Sequence, residues 1–573
     1  MRTKHGRGTC RWVWAALTLG VAAARAADKA PEVTGPVIEL PKFEVTDSRL
    51  LPPPEKWLYA EVPGFEILSR ISERETKRFV RDFLLLPEVI EAIMPGLLRG
   101  QVPVPTALVL CGGRGKGFDE FVPADQAEAR YGTNSLFFKN PERSAIVIDF
   151  ALGELQLEND TRIESDPYRA FYAAYFRFLL RRQLGDKAPP WFEEGLVQLF
   201  AATEFDKKTI TFAQIGDGFG AEKIGDFNRM LQRRAIMPFG EMLAPDGPRA
   251  RNAFWSAQCY AFVHYCLYGH GKKNQRPFLE YVSKLADQPP TEELFKACFK
   301  KTYKQFATEL RGYIDFTAHQ KIEFRAKKGQ ELPEPPAVVL RDAADHEVGR
   351  IKGEVLRLGG HSAAAHNTLI APYVRGERDA RLLAALGLDE VDAGNTDRAR
   401  KFLEAAANAK ARRARAYLEL GRLRLKAAQA KPAGGDGKLD GAQVTAVLTP
   451  LFDALKQPPR MAEVYGLIAE TWTQSAVAPQ AEHLAVPIEG VRYFPRDMDL
   501  LMQVTLLAAK RNFPTEARAL AERGVKLAGD GGLQERFRVL ASAFTRDDDP
   551  KAPKIEVTVE KDGSFLLPEA KKP

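Results

Sequence analysis

Two hydrophobic periods run along this 573-residue chain, and the change between them marks out its parts. From residue 57 to about 150 the apolar positions come in short runs. Tyr59 to Leu68 (YAEVPGFEIL) is strand-like, Thr106 to Cys111 (TALVLC) reads as a short buried strand, and Ser135 to Lys139 and Ser144 to Phe150 alternate as further strands. SRISERETKRFVRDFLLLPEVIEAIM, after the first of them, opens on a serine cap and keeps helical spacing. From Tyr168 the period lengthens. In YRAFYAAYFRFLLRRQLGDKAPPWFEEGLVQLF, Tyr168, Phe171, Tyr172, Tyr175, Phe178 and Leu179 recur at helical spacing, GDKAPP breaks the pattern, and a second helix opens at Trp191. A short strand follows at Thr209 to Gln214. Then AFWSAQCYAFVHYCLYG, with Trp255, Cys259, Phe262, Val263 and Cys266 on one face, and three more helical segments close a region ending near residue 325.

Residues 326–340, which contain KKGQELPEPP, read as a linker. Beyond it, from 341 to 545, the pattern is helical and repetitive. Gly353, Gly387 and Gly421 are spaced by 34 residues, as are Gly360 and Gly394, and Ala365 and Ala399. That period belongs to tetratricopeptide (TPR) repeats, in which small residues let paired helices approach closely. About four units fit, with a low-complexity insertion at 426–441 interrupting one of them. The tail, 546–573, is either a small hairpin around Asp562-Gly563 or a disordered end.

The N-terminus follows neither period. A basic stretch, the apolar run Trp12 to Ala24 and the small-x-small site Ala24-Arg25-Ala26 read as a signal peptide over 1–26, followed by a Pro-rich linker over 27–56. No later segment approaches transmembrane length. An exported protein, periplasmic or extracellular, is expected. Cleavage lowers the formal net charge from +8 to +3, because five basic residues and no acid leave with the peptide. Nucleic-acid binding therefore loses its charge argument, and pairs such as Arg181-Arg182 read as solvated helix faces. Export leaves Cys111, Cys259, Cys266 and Cys298, whose spacings form no metal pattern. Buried free thiols are expected, with one disulfide to Cys111 or Cys298 as the alternative. The GGRGKG loop after TALVLC lacks the GK[ST] ending of a phosphate loop. His361 and His366 are five apart, the wrong spacing for one helical face.

The two helices around GDKAPP resemble the core of gluzincin-type zinc peptidases, in particular the peptidase-MA-like family, over residues 57–325. That family carries HExxH on one helix and its third metal ligand on a PPWxxEG helix. PPWFEEG is the most specific match, and AFWSAQCYAFVHYCLYG is similar to the helix that supports the family's active site. Aligned this way, Ala173 stands at the first histidine, Ala174 at the catalytic glutamate and Arg177 at the second histidine, so that only Glu194 remains. A zinc site of this kind needs two imidazoles one helical turn apart and a glutamate as general base. Alanine offers no lone pair, and arginine is a permanent cation. No shift of register helps, since no histidine lies between His5 and His264. Arg177 and Glu194 are either a charge-assisted pair across the two helices or two solvated charges.

The expected architecture is an α+β gluzincin-like domain, with a small N-terminal sheet and a mostly helical remainder, followed by an all-α TPR-like domain. The expected function is that of an exported pseudo-metallopeptidase without catalytic residues or cofactor. It would bind a protein or peptide through the repeats and the vestigial cleft, with Tyr172, Tyr175, Arg177, Trp191, Glu193 and Glu194 as candidate lining residues; the alternative for each is plain core or surface, and for Trp191 it is core. The alternative is a zinc-dependent peptidase or other hydrolase whose ligands have been relocated.

Overall fold

The computed structural model describes residues 39–43, 51–93, 104–112, 117–123, 135–150, 155–156, 162–163, 167–184, 189–201, 203–205, 209–213, 231–244, 252–285, 288–316, 322–325, 337–495, 497–528, 531–544, 558–559 and 565–566. The expected signal peptide, most of the Pro-rich linker and the centre of the GGRGKG loop lie outside these residues.

The single strand expected over 59–68 is a hairpin. β1 (Leu58–Val62) and β2 (Phe65–Ser69) pair antiparallel around Pro63-Gly64. Gly64 takes φ +82°, the left-handed conformation that such a tight turn demands. The helix α1 (Glu73–Ile93) then leads to β3 (Thr106–Cys111), which runs parallel to β2, and β4 (Ser135–Lys139) and β5 (Ser144–Asp149) add a second antiparallel pair. β3 is buried at every position and lies parallel to β5 too, as expected of a strand covered on both faces. Short pairs β6 (Leu155–Gln156) with β7 (Arg162–Ile163), and β8 (Glu204–Phe205), β9 (Thr209–Phe212) and β10 (Ile322–Arg325), form two small further sheets. β11 (Arg341–Asp342) completes the main sheet, whose order is β11-β1-β2-β3-β5-β4.

The two faces of this sheet meet different partners. Leu108, Leu110, Ile146 and Ile148 share a core with α1 and with the central helices α2 (Pro167–Leu184) and α3 (Pro190–Phe200). The same core takes in α4 (Phe239–Met242), α5 (Ala253–Tyr268), α6 (Gln275–Lys284), α7 (Glu292–Phe299) and α8 (Tyr303–Phe316). Ala107, Val109, Ala145 and Val147, on the opposite face, pack instead on Val348, Ile351, Val355 and Leu356 of α9 (Asp345–Leu358), the first helix of the C-terminal array.

That array continues with α10 (Ser362–Val374), α11 (Ala380–Asp392), α12 (Thr396–Asn408), α13 (Ala414–Ala430), α14 (Gly441–Leu455), α15 (Ala462–Gln474), α16 (Ala481–Tyr493), α17 (Met498–Lys510), α18 (Pro514–Leu527) and α19 (Gly532–Phe544). Among the described residues these make five successive helix pairs and a last helix, where the sequence spacing suggested about four units. The glycine period has a direct steric cause. A Cβ on Gly353 would lie 2.6 Å from Leu369 Cγ, one on Gly387 2.7 Å from Leu403 Cγ, and one on Gly421 2.6 Å from Leu451 Cδ2. Each contact joins the two helices of one pair, with Ala365 and Ala399 fully buried beside the first two. In the third pair the contacting leucine lies farther along the chain, because the insertion lengthens α13 and adds a short turn before α14. The C-terminal region is thus a TPR-like helical array. Beyond it, β12 (Thr558–Val559) and β13 (Phe565–Leu566) pair antiparallel.

Charges sew the array to the sheet. Glu66 on β2 accepts from Arg143 (2.6 Å), Arg350 (3.0 Å) and Arg381 (2.8 Å), the last two from α9 and α11. Glu354 lies 2.8 Å from Arg143 and pairs with Arg413, which also donates to Glu142 at 2.6 Å. Burial alone would raise the Glu66 carboxyl, but Arg350 and Arg143 outweigh it and hold it well below the usual carboxylate range.

Candidate functional site

α2 and α3 meet at the position where the resemblance puts a metal centre. The PPW sequence starts α3 cleanly, since Pro190 at the first turn has no N–H to leave unsatisfied. Gly195 then lets α3 lie against α5: a Cβ there would sit 2.4 Å from Val263 Cγ2 and 2.7 Å from the Cys259 carbonyl oxygen. This close approach fixes which way the preceding glutamates face.

Both glutamates turn toward α2. Arg177 Nη2 lies 2.7 Å from Glu194 Oε2, and Arg177 Nε lies 2.8 Å from Glu193 Oε1. Adjacent helical residues diverge by about 100°, yet the planar guanidinium fork is wide enough to take one oxygen from each. Arg181, one turn further along α2, grips Glu193 through two parallel bonds of 2.9 Å. Gln198 Nε2 donates to the remaining oxygen of Glu194 at 2.9 Å. The carboxylate side chains are only 12 % and 13 % exposed, and every oxygen of the pair has a donor. Arg181 is exposed, as a solvated helix face would have it, and is also a member of the cluster. Its spacing of four residues from Arg177, on one helical face, was the available signal.

Ala173 is buried and Ala174 half-buried on the same helix. The aromatic candidates take the core alternative that the sequence left open. Tyr172, Tyr175 and Trp191 are core residues, 4 %, 2 % and 0 % exposed, and do not line an open cleft. Tyr175 packs on Phe83 at 4.6 Å between ring centroids, and Trp191 lies among Phe262, Phe278 and Tyr281. The reason is size: aromatic rings at helical spacing between a sheet and three helices are the natural filling of that layer. Cys111, Cys259, Cys266 and Cys298 are buried free thiols, and burial pushes the Cys259 thiol up, with Glu194 adding to the shift. His264 is packed on α5 with its Nδ1 2.6 Å from Tyr313 Oη. His361 Nε2 lies 2.9 Å from the Val122 carbonyl oxygen, and His366 Nδ1 2.5 Å from Asp389. Among the described residues, no three His, Cys, Asp or Glu side chains gather into a group that could hold a metal, and no helix is long and apolar enough to cross a membrane.

No family model matches the chain, and no curated protein does. Among solved structures, a thermophilic TPR protein of Thermus thermophilus is similar at 15 % identity, over 35 % of this chain and 100 % of its own, with a TM-score of 0.25. So loose a superposition carries no weight by itself, and the repeat assignment stands on the glycine–leucine contacts between paired helices.

Proposed function

We propose that this chain is an exported, non-catalytic scaffold that binds a protein or peptide segment through its helical array, and that its N-terminal region is a peptidase-like domain stripped of its chemistry. The observation that supports this most directly is the Arg177 fork across Glu193 and Glu194. In this reading a fixed cation of the chain itself joins the two helices that zinc joins in an active gluzincin, and it satisfies the carboxylate that would have been the third ligand. The helical array supports the binding half of the proposal, since stacked helix pairs present long surfaces that suit extended partners.

The test is the metal content of the purified mature chain with zinc supplied, alongside cleavage of a general peptide substrate. The expected result is no stoichiometric zinc and no cleavage. About one zinc per chain, lost on Glu194→Ala, would overturn the proposal and put a relocated ligand set in its place.

A further inference from the structure

Residues 39–43 come from the Pro-rich stretch before the sheet, yet they lie on the helical array. Phe43 fills a box made by two helix pairs. Its ring stacks on Phe402 of α12 at 6.0 Å and meets Tyr373 of α10 edge-on at 5.7 Å. His366 of α10 closes a third side at 6.4 Å, and the Arg398 guanidinium lies 5.4 Å above the ring. Leu40 packs against the same apolar cluster, Pro41 is buried, and Lys42 is exposed. Tyr373 Oη donates to the Pro41 carbonyl oxygen at 2.8 Å.

This is how a groove reads an extended peptide. One hydroxyl binds the main chain, which any sequence could offer. An aromatic box takes one ring, where stacked and edge-on contacts and a cation favour Phe over an aliphatic side chain. Pro41 suits the site twice over. It has no N–H to leave unsatisfied, and it holds the residue before it extended.

We propose that the groove between α10 and α12 is a docking site for an extended Leu-Pro-x-Phe segment of a partner protein, and that this chain's own Leu40–Phe43 occupies it as a built-in competitor. The proposal rests on the scaffold reading above and names its site and ligand. The contacts are the same whether the segment arrives from this chain or from another. A tethered segment competes at an effective concentration of about millimolar, so a partner must present its segment in several copies or act when the internal one is released.

The experiment uses the full chain and a fluorescein-labelled peptide containing ELPKF. Phe43→Ala empties the box without touching the array. The labelled peptide is expected to bind the F43A chain at least ten-fold more tightly than wild type, and a peptide with alanine for its phenylalanine is expected to bind neither. Adding Tyr373→Phe, which removes one hydroxyl and no ring, should weaken the binding to F43A. Equal affinity for wild type and F43A, or binding indifferent to both the peptide's phenylalanine and Tyr373, would overturn the proposal. A random peptide library selected on the F43A chain separates the two levels. Library peptides that bind the F43A chain, where ELPKF itself does not, sink the groove and leave the scaffold reading standing. A library that yields nothing sinks both.

Discussion

Arg177 Nη2 lies 2.7 Å from Glu194 Oε2, joining α2 to α3 where the resemblance would set a second histidine opposite the third ligand of a metal. The pair is half-sheltered, with the arginine side chain 33 % and the glutamate 13 % exposed. Its partners Glu193, Arg181 and Gln198 leave the cluster electrically balanced.

If the helices keep peptidase geometry, the site can be rebuilt. The triple variant A173H/A174E/R177H restores HExxH opposite Glu194. It is expected to take up about one zinc per chain and to lose it when Glu194→Ala is added. Metal content and circular dichroism on the same sample decide the matter. A folded triple variant that ignores zinc would show that α2 and α3 do not face each other as a gluzincin requires.

Glu66 holds three guanidiniums from both sides of the sheet–array junction. Glu66→Gln should cost about 3–5 kcal/mol at pH 7, because it leaves buried arginines short of charge. Its folded-state carboxyl sits below the usual range. The stability it gives is therefore complete above the ordinary carboxylate pKa and is lost only as the pH falls through the lowered value. Urea melts across pH 3 to 7 should show a shallower acid limb for E66Q than for wild type.

Two glycines of one repeat should respond differently to alanine. At Gly387 a Cβ would meet Leu403 at 2.7 Å, so Gly387→Ala should cost about 1–3 kcal/mol through overpacking. At Gly394 nothing lies within 4 Å, but φ is +77°, so Gly394→Ala should cost about 1 kcal/mol through backbone strain. Thermal melts of the two single variants rank them, and a larger loss for G394A would contradict the close-packed seam.

The hydrogen bond from Asp389 raises the His366 pKa above the ordinary histidine value, against an opposing effect of burial, and Asp389 and Glu390 add to the rise while Arg398 lessens it. With the folded value raised, the pair's stabilisation is complete below about pH 6.5 and fades as the pH climbs through the raised value. Wild type should therefore exceed His366→Gln in melting temperature at pH 6, and the gap should close toward pH 9. Phe43 touches the same imidazole. A pH-independent gap would mean that the ring's packing on Phe43, and not its charge, is what His366 contributes.

What could be read from sequence was what repeats or alternates locally. The strand TALVLC came through because a six-residue apolar run bounded by Pro and Gly is too short for a helix, and the glycine period because its spacing has one steric explanation. The Pro63-Gly64 turn was overlooked although its dipeptide is a turn signal in its own right. The Arg177 fork could be posed only as one of two choices, since whether a long side chain reaches across depends on the angle between helices, which Gly195 and Cys259 set from α5. The net around Glu66 joins residues as far apart as Glu66 and Arg381, and no local pattern announces such a pairing. The Phe43 box escaped notice for the same reason.

The sheet also sets a direction for change. Solenoids ordinarily need a special first repeat to hide the open face of the stack. Here Ala107, Val109 and Val147 of the sheet cover α9 in that role. Growth and shortening of the array are thereby confined to its far end. A helix pair added after α19, or the final helices removed, leaves the sheet untouched, whereas a pair deleted beside it strips the strands of their cover and parts Arg350 from Glu66. Lineages carrying this architecture should differ in the number of their last repeats and agree on their first.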